Sequence, residues 1–216
     1  MALGAFTFVL HTHLPFVRMA GRWPHGEEML HEAMAESYIP LLNALYDLRE
    51  EGVDFRLAIG ITPILMEQLA DEEVKKHFIA YLEERIQLAE EDAKIHMNRG
   101  EEAIASLASF YRDWYSEILH SFVNRFGRDI LGAFRRLQDE GYVEILTSAA
   151  THAYLPLLDR DSSIYAQLRV GVQTYFRHMG RMPKGIWLPE CGYRPGYMKD
   201  PRPGEPITQP YYKPGL

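Results

Sequence analysis

The sequence is nearly devoid of cysteine: the one present, Cys191, can close no disulfide within the chain, which fits a reducing compartment. The start, Met1-Ala2-Leu3-Gly4-Ala5-Phe6-Thr7-Phe8-Val9-Leu10, lacks the basic stretch and long apolar core of a secretory signal. No apolar run approaches the roughly 20 residues of a membrane span. These absences point to the cytoplasm and away from a membrane. Positive charge is also scarce: 23 Lys and Arg stand against 30 Asp and Glu, a net charge of −7 over 216 residues. Without a basic stripe, a nucleic-acid partner is not expected. What remains is ordinary globular material, 47% hydrophobic and 25% charged. Aromatics reach 12%, with 13 Tyr and 3 Trp. Sugar-binding clefts use such rings, but most of them are expected in the core.

The order of patterns suggests an α/β fold. Phe6–Leu10 is a short apolar run ending at His11-Thr12-His13-Leu14-Pro15, as expected of a buried parallel strand with a polar C-terminal end. Residues 27–51 carry helical spacing, with Pro40 as a break or kink and Gly52 as a stop. Residues 55–60 form a second strand. Thr62-Pro63 then opens a helix, with Thr as N-cap and Pro at the first helical position. Residues 64–140 read as helical throughout, with breaks near 98–100 and 126–127. That is too long for one crossover helix, so it reads as a helical insertion. A third strand at 142–147, a helix at 163–178 and a fourth strand at 184–188 complete the alternation, which argues for a parallel sheet or barrel. Residues 194–216 hold 6 of the 13 prolines and read as a long loop.

Each strand ends in polar or small residues: His11 and His13, Gly60 and Thr62, Ser148 with Thr151 and His152, and Glu190. In α/β barrels the site lies at the C-terminal ends of the strands, so these four segments converge on one rim. His11 and His13 share one side of a strand by its period of two. They can donate to sugar hydroxyls or bind a metal. A metal needs three or four ligands, and no acid flanks the pair. Glu190 follows Trp187-Leu188-Pro189 at a strand end. A carboxylate there can attack an anomeric carbon, or it can be a plain surface acid. His152 is either a site residue or a satisfied buried histidine. Trp23, in a loop, suits either sugar stacking or packing. Cys191 reads as a small filler beside the site.

Taken together, Phe8-Val9-Leu10-His11-Thr12-His13-Leu14-Pro15, Gly60-Ile61-Thr62-Pro63, Ala149-Ala150-Thr151-His152-Ala153-Tyr154-Leu155-Pro156 and Gly185-Ile186-Trp187-Leu188-Pro189-Glu190-Cys191-Gly192-Tyr193 resemble glycoside hydrolase family 57, within it the 1,4-α-glucan branching enzymes. The resemblance implies an incomplete (β/α)7 barrel with the helical insertion at about 64–140, and a retaining mechanism on α-glucan in glycogen-type synthesis. It implies that Glu190 is the nucleophile, and that His11, His13, His152, Trp23 and Trp187 bind substrate. No metal or organic cofactor is implied. The family's acid/base aspartate lies on a later strand. After Glu190 this chain has only Asp200 and Glu205, neither in that motif, so residues 1–216 are expected to be the N-terminal part of the barrel, inactive alone, with the C-terminal part as partner. α-Amylases and 4-α-glucanotransferases share the motifs. A metal-dependent hydrolase or deacetylase using His11 and His13, and a non-catalytic glucan-binding fragment, are the alternatives of other classes.

Overall fold

A computed structural model describes Gly4 and residues 6–201, 203–204, 206–207 and 209–216. Met1, Ala2, Leu3 and Ala5, part of the start read for a signal, lie outside the described residues, as do Arg202 and Glu205 of the proline-rich run.

Three parallel strands form the sheet, in the order β1 (Val9–Thr12), β2 (Leu57–Ile61), β3 (Val143–Leu146). The register sets His11 opposite Gly60, and Gly60 opposite Leu146. The chain is thus α/β with parallel strands. β1 starts three residues later than the sequence pattern predicts and runs through His11. It is also not buried: Val9 is exposed, as are Phe6 and Phe8 just before it, because β1 is an outer strand paired only with β2 among the described residues.

The predicted fourth strand is reduced to one parallel pair, Thr147 with Ile186. Thr147 N–H donates to the Gly185 carbonyl at 3.2 Å, and Trp187 N–H donates to the Thr147 carbonyl at 2.8 Å. Pairing stops there because the next residues of both segments turn away and Pro189 has no N–H to continue a ladder. The proline-rich end is not all loop either: β4 (Tyr197–Lys199) and β5 (Tyr211–Lys213) form an antiparallel pair. The prolines at 201, 203 and 206 fall between these strands, where no ladder donor is needed.

Between β1 and β2 run α1 (Glu28–Ala33) and α2 (Ile39–Glu50), joined by a π-helical turn over Met34–Tyr38. Pro40 therefore does not break the helix. The wider turn, in which Ile39 N–H donates to the Met34 carbonyl, accommodates a proline that supplies no donor of its own. α3 (Pro63–Ala70), α4 (Glu72–Asn98), α5 (Glu102–His120) and α6 (Ile130–Asp139) follow β2. Asp71 caps α4 by accepting from the N–H groups of Glu73 and Val74. After β3 comes α7 (Asp161–Met179), ended by Gly180 at φ 72°. A glycine tolerates that left-handed position without cost to a side chain. None of the helices is long and apolar enough to cross a membrane, among the described residues.

One core, with Leu30, Ile39, Leu42, Ile59, Leu65, Phe78, Phe122 and Tyr175 fully buried, ties α1–α7 to the inner strands. His31 is enclosed with them, its ring 5.7 Å from Phe78 and 5.4 Å from Tyr81. Burial lowers its pKa to about 4, with Glu27 and Glu28 opposing and His77 and Arg22 reinforcing the shift. The folded state therefore takes up this proton later than the unfolded chain, so His31 costs stability as pH falls from its ordinary 6.5 towards 4. The stability of His31→Leu relative to the parent protein should rise over that interval and be flat above pH 7. Urea denaturation at several pH values measures it, and an equal pH slope in both proteins would refute it.

Candidate active site

The ends of the parallel segments bring His11, His13, His152, Trp187 and Glu190 together. His11 is the last residue but one of β1, with His13 just past its end. The His152 ring lies 4.9 Å from that of His11 and 4.3 Å from that of His13. Trp187 stacks on His11 at 5.9 Å. Glu190 Oε1 is 3.7 Å from His152 Nε2.

Glycines on neighbouring segments make room for this packing. A Cβ on Gly60, opposite His11 in the register, would come within 2.9 Å of His11 Nδ1. One on Gly171 of α7 would meet the Ser148 carbonyl oxygen at 2.2 Å, so a glycine lets α7 press against the turn that bears His152. The sequence suggests that Gly192 provides an unusual turn after Glu190. Its φ is an ordinary −71°, and its role is space: a Cβ there would meet the Tyr154 ring at 2.5 Å. The left-handed backbone is carried instead by Glu190 (φ 51°), Cys191 (φ 53°) and His152 (φ 55°). Such conformations cost non-glycine residues about 1–3 kcal/mol each and concentrate at functional sites. Here they turn the Glu190 side chain outward, where it is 73% exposed.

Hydrogen bonds determine which nitrogens carry protons. Ser148 Oγ donates to the Trp187 carbonyl at 2.8 Å, since a carbonyl can only accept. A hydroxyl has one proton, so towards His152 Nδ1, 2.9 Å away, Ser148 can only accept. His152 therefore carries its proton on Nδ1. Its Nε2, free of a proton in the neutral ring, accepts from His11 Nε2–H at 3.3 Å. His13 Nδ1 pairs with the fully buried Thr62 hydroxyl at 3.2 Å. Thr62 does occupy the N-cap position of α3, but its side chain makes no cap bond; its hydroxyl serves His13 instead.

Burial keeps the ring neutral. Desolvation, followed by the neighbouring His13 and His11, lowers the His152 pKa to about 4. Desolvation also lowers His11 and His13, with the Glu190 carboxylate opposing it in both. An accessible carboxylate edged by neutral imidazoles and an indole is suited to polyhydroxylated, uncharged ligands: the imidazoles exchange hydrogen bonds with hydroxyls and the ring face stacks. No group of three or more His, Cys, Asp or Glu is placed to hold a metal ion among the described residues.

The sequence model of glycosyl hydrolase family 57 matches residues 7–200. The chain belongs to glycosyl hydrolase family 57. It is 50% identical over 192 residues to a 1,4-alpha-glucan branching enzyme of Thermococcus kodakarensis, covering 89% of this chain and 28% of that protein. Its fold matches the crystal structure of a branching enzyme of this family from Pyrococcus horikoshii with a TM-score of 0.87 and 50% identity, over 97% of this chain and 38% of that one. It also matches the alpha-amylase AmyC of Thermotoga maritima, with a TM-score of 0.74 and 38% identity, over 86% of this chain and 35% of that one. The chain thus spans about a third of the length of these relatives.

Of the residues singled out in the sequence, Trp23 stands apart. It is 76% exposed and shares no hydrogen bond, ion pair or ring contact with the cluster among the described residues. Cys191 is free and exposed, so it fills no space beside the site. Sequence reasoning gave Ser148 no role beyond a polar strand end. Its place four residues before His152 was a signal, but only the carbonyl of Trp187, far along the chain, gives that place a meaning.

Proposed function

We propose that this chain is the N-terminal part of the catalytic barrel of a 1,4-α-glucan branching enzyme, with Glu190 as its nucleophile. The observation that carries the reading is Glu190 itself: an exposed carboxylate, on left-handed backbone, 3.7 Å from a neutral buried histidine at the C-terminal ends of parallel segments. Such a group can attack the anomeric carbon of a glucosyl unit while the bond to the departing glucan breaks, leaving a covalent glucosyl–enzyme ester. Transfer of the glucan to a 6-hydroxyl would then give an α-1,6 branch and regenerate the carboxylate. His11, His13 and His152 line the donor sugar, Trp187 buttresses His11, and Trp23 offers an exposed ring for a second stretch of glucan.

Residues 64–140 are the helical insertion of that barrel in this reading. The further length of the relatives supplies the remaining strands and the acid/base carboxyl, which in retaining enzymes stands about 5–5.5 Å from the nucleophile. The exposed Val9 on the outer strand, with the exposed Phe6 and Phe8 just before it, supports further strands there, because an apolar strand edge otherwise pairs with other chains. The compartment proposed is the cytoplasm, where glucan stores are built.

Incubating the full-length protein with linear amylose tests the activity. New α-1,6 linkages, read by debranching and chain-length analysis, are expected. Shorter linear products would instead favour the amylase reading, which the likeness to the Thermotoga alpha-amylase makes the second choice.

A further inference from the structure

We propose that Ser148 is a positioning residue that keeps the Glu190 carboxylate free of a histidine hydrogen bond. The proposal rests on the reading of Glu190 as nucleophile.

His152 Nε2 lies between two groups, His11 Nε2 at 3.3 Å and Glu190 Oε1 at 3.7 Å. Which of them it serves depends on where the single proton of the neutral ring resides. With the proton on Nδ1, Nε2 is a lone pair: it accepts from His11 and offers Glu190 nothing. With the proton on Nε2, the ring can no longer accept from His11 and donates to the carboxylate instead. A carboxylate oxygen engaged in that way is a poorer nucleophile, because the donor stabilises the charge that attack must disperse.

Ser148 makes the choice. Its proton is committed to the Trp187 carbonyl, three residues before Glu190, so its oxygen faces His152 Nδ1 only as an acceptor. The hydroxyl has little freedom to turn: Ser148 is 2% exposed, and its carbonyl is wedged against α7 at Gly171. The charged or titratable groups facing His152 are His11, His13 and Glu190. Among the described residues neither imidazole hydrogen-bonds to Nδ1, so Ser148 is the partner that holds that nitrogen. Removing its hydroxyl leaves a buried N–H without an acceptor, which is unfavourable and drives the proton to Nε2, where Glu190 waits.

The test uses the full-length protein as Ser148→Ala, Ser148→Thr and Glu190→Gln. The substrate is an α-maltosyl fluoride, whose leaving group departs without a general acid, so its rate reports attack by the carboxylate. Ser148→Ala should lower kcat by roughly tenfold to a hundredfold with KM nearly unchanged, and Ser148→Thr should restore it. In protein labelled with 15N-histidine, with the His152 signals assigned by comparison with His152→Gln, the parent should show a protonated Nδ1 and a bare Nε2, and Ser148→Ala the reverse. A parent protonated at Nε2 overturns the proposal, even if Ser148→Ala does not fold. So does unchanged kcat in Ser148→Ala beside an inactive Glu190→Gln, which leaves the nucleophile reading standing. Turnover retained in Glu190→Gln overturns that reading and this proposal with it.

Discussion

Glu190→Gln in the full-length protein will lose on the order of 10⁴-fold or more in glucan turnover, the scale seen when a covalent nucleophile is removed, with its fold unchanged. The amide is nearly the same size as the carboxylate but cannot form the glycosyl ester. The reason to expect an intact fold is local. The side chain is 73% exposed, so no packing depends on its charge, and its nearby titratable partner, His152, is neutral. Glutamine also keeps a side chain that the left-handed backbone already carries. Measuring branching rate beside the urea midpoint separates the two effects. A variant that branches at the parent rate removes Glu190 from the mechanism. A variant that fails to fold shows instead that the carboxylate has a structural part in the turn.

The largest loss of stability is expected at Phe78→Ala. Phe78 is fully buried on α4, its ring edge-on to Phe122 at 5.0 Å and 5.7 Å from His31. It thereby joins the longest helix to α1 and to the turn after α5, so no single neighbour can move in to fill the space. Deleting a buried phenylalanine side chain typically costs about 3–5 kcal/mol, part transfer and part cavity. That is a large share of the roughly 5–15 kcal/mol that holds a domain folded. Phe78→Leu, which keeps most of the volume, should lose much less. Equilibrium urea unfolding reads both, and a loss below about 1 kcal/mol for the alanine variant would mean that α4 is not anchored there.

Both predictions concern residues whose setting was partly legible beforehand. The position of Glu190 after an apolar run and a proline follows from local pattern. So do the glycine stop at Gly52, the inner strands β2 and β3, and the breaks between the long helices. These signals are local because backbone hydrogen bonding and periodic burial act over a few residues. Patterns failed where a segment's partner decides its form. Residues 184–188 have strand composition, yet only Ile186 is bridged, to Thr147 just past β3. The first strand has the composition of a buried one, yet it is an outer strand with exposed apolar residues. The tail has too many prolines for regular structure in its middle, but Tyr197–Lys199 and Tyr211–Lys213 pair across them.

The sequence by itself determined the alternation of strands and helices, the four polar strand ends and the family they resemble, because each is written in residues adjacent or periodically spaced. Only the tertiary structure decided what those residues are to one another. His11 and His152 are 141 positions apart, and their nitrogens meet at 3.3 Å. Thr62, a helix cap by its sequence, gives its hydroxyl to His13. Ser148 assigns the proton of His152 only because the Trp187 carbonyl claims its own. A proton's position depends on which acceptor stands within about 3 Å, and that distance is set by packing between segments far apart in the chain.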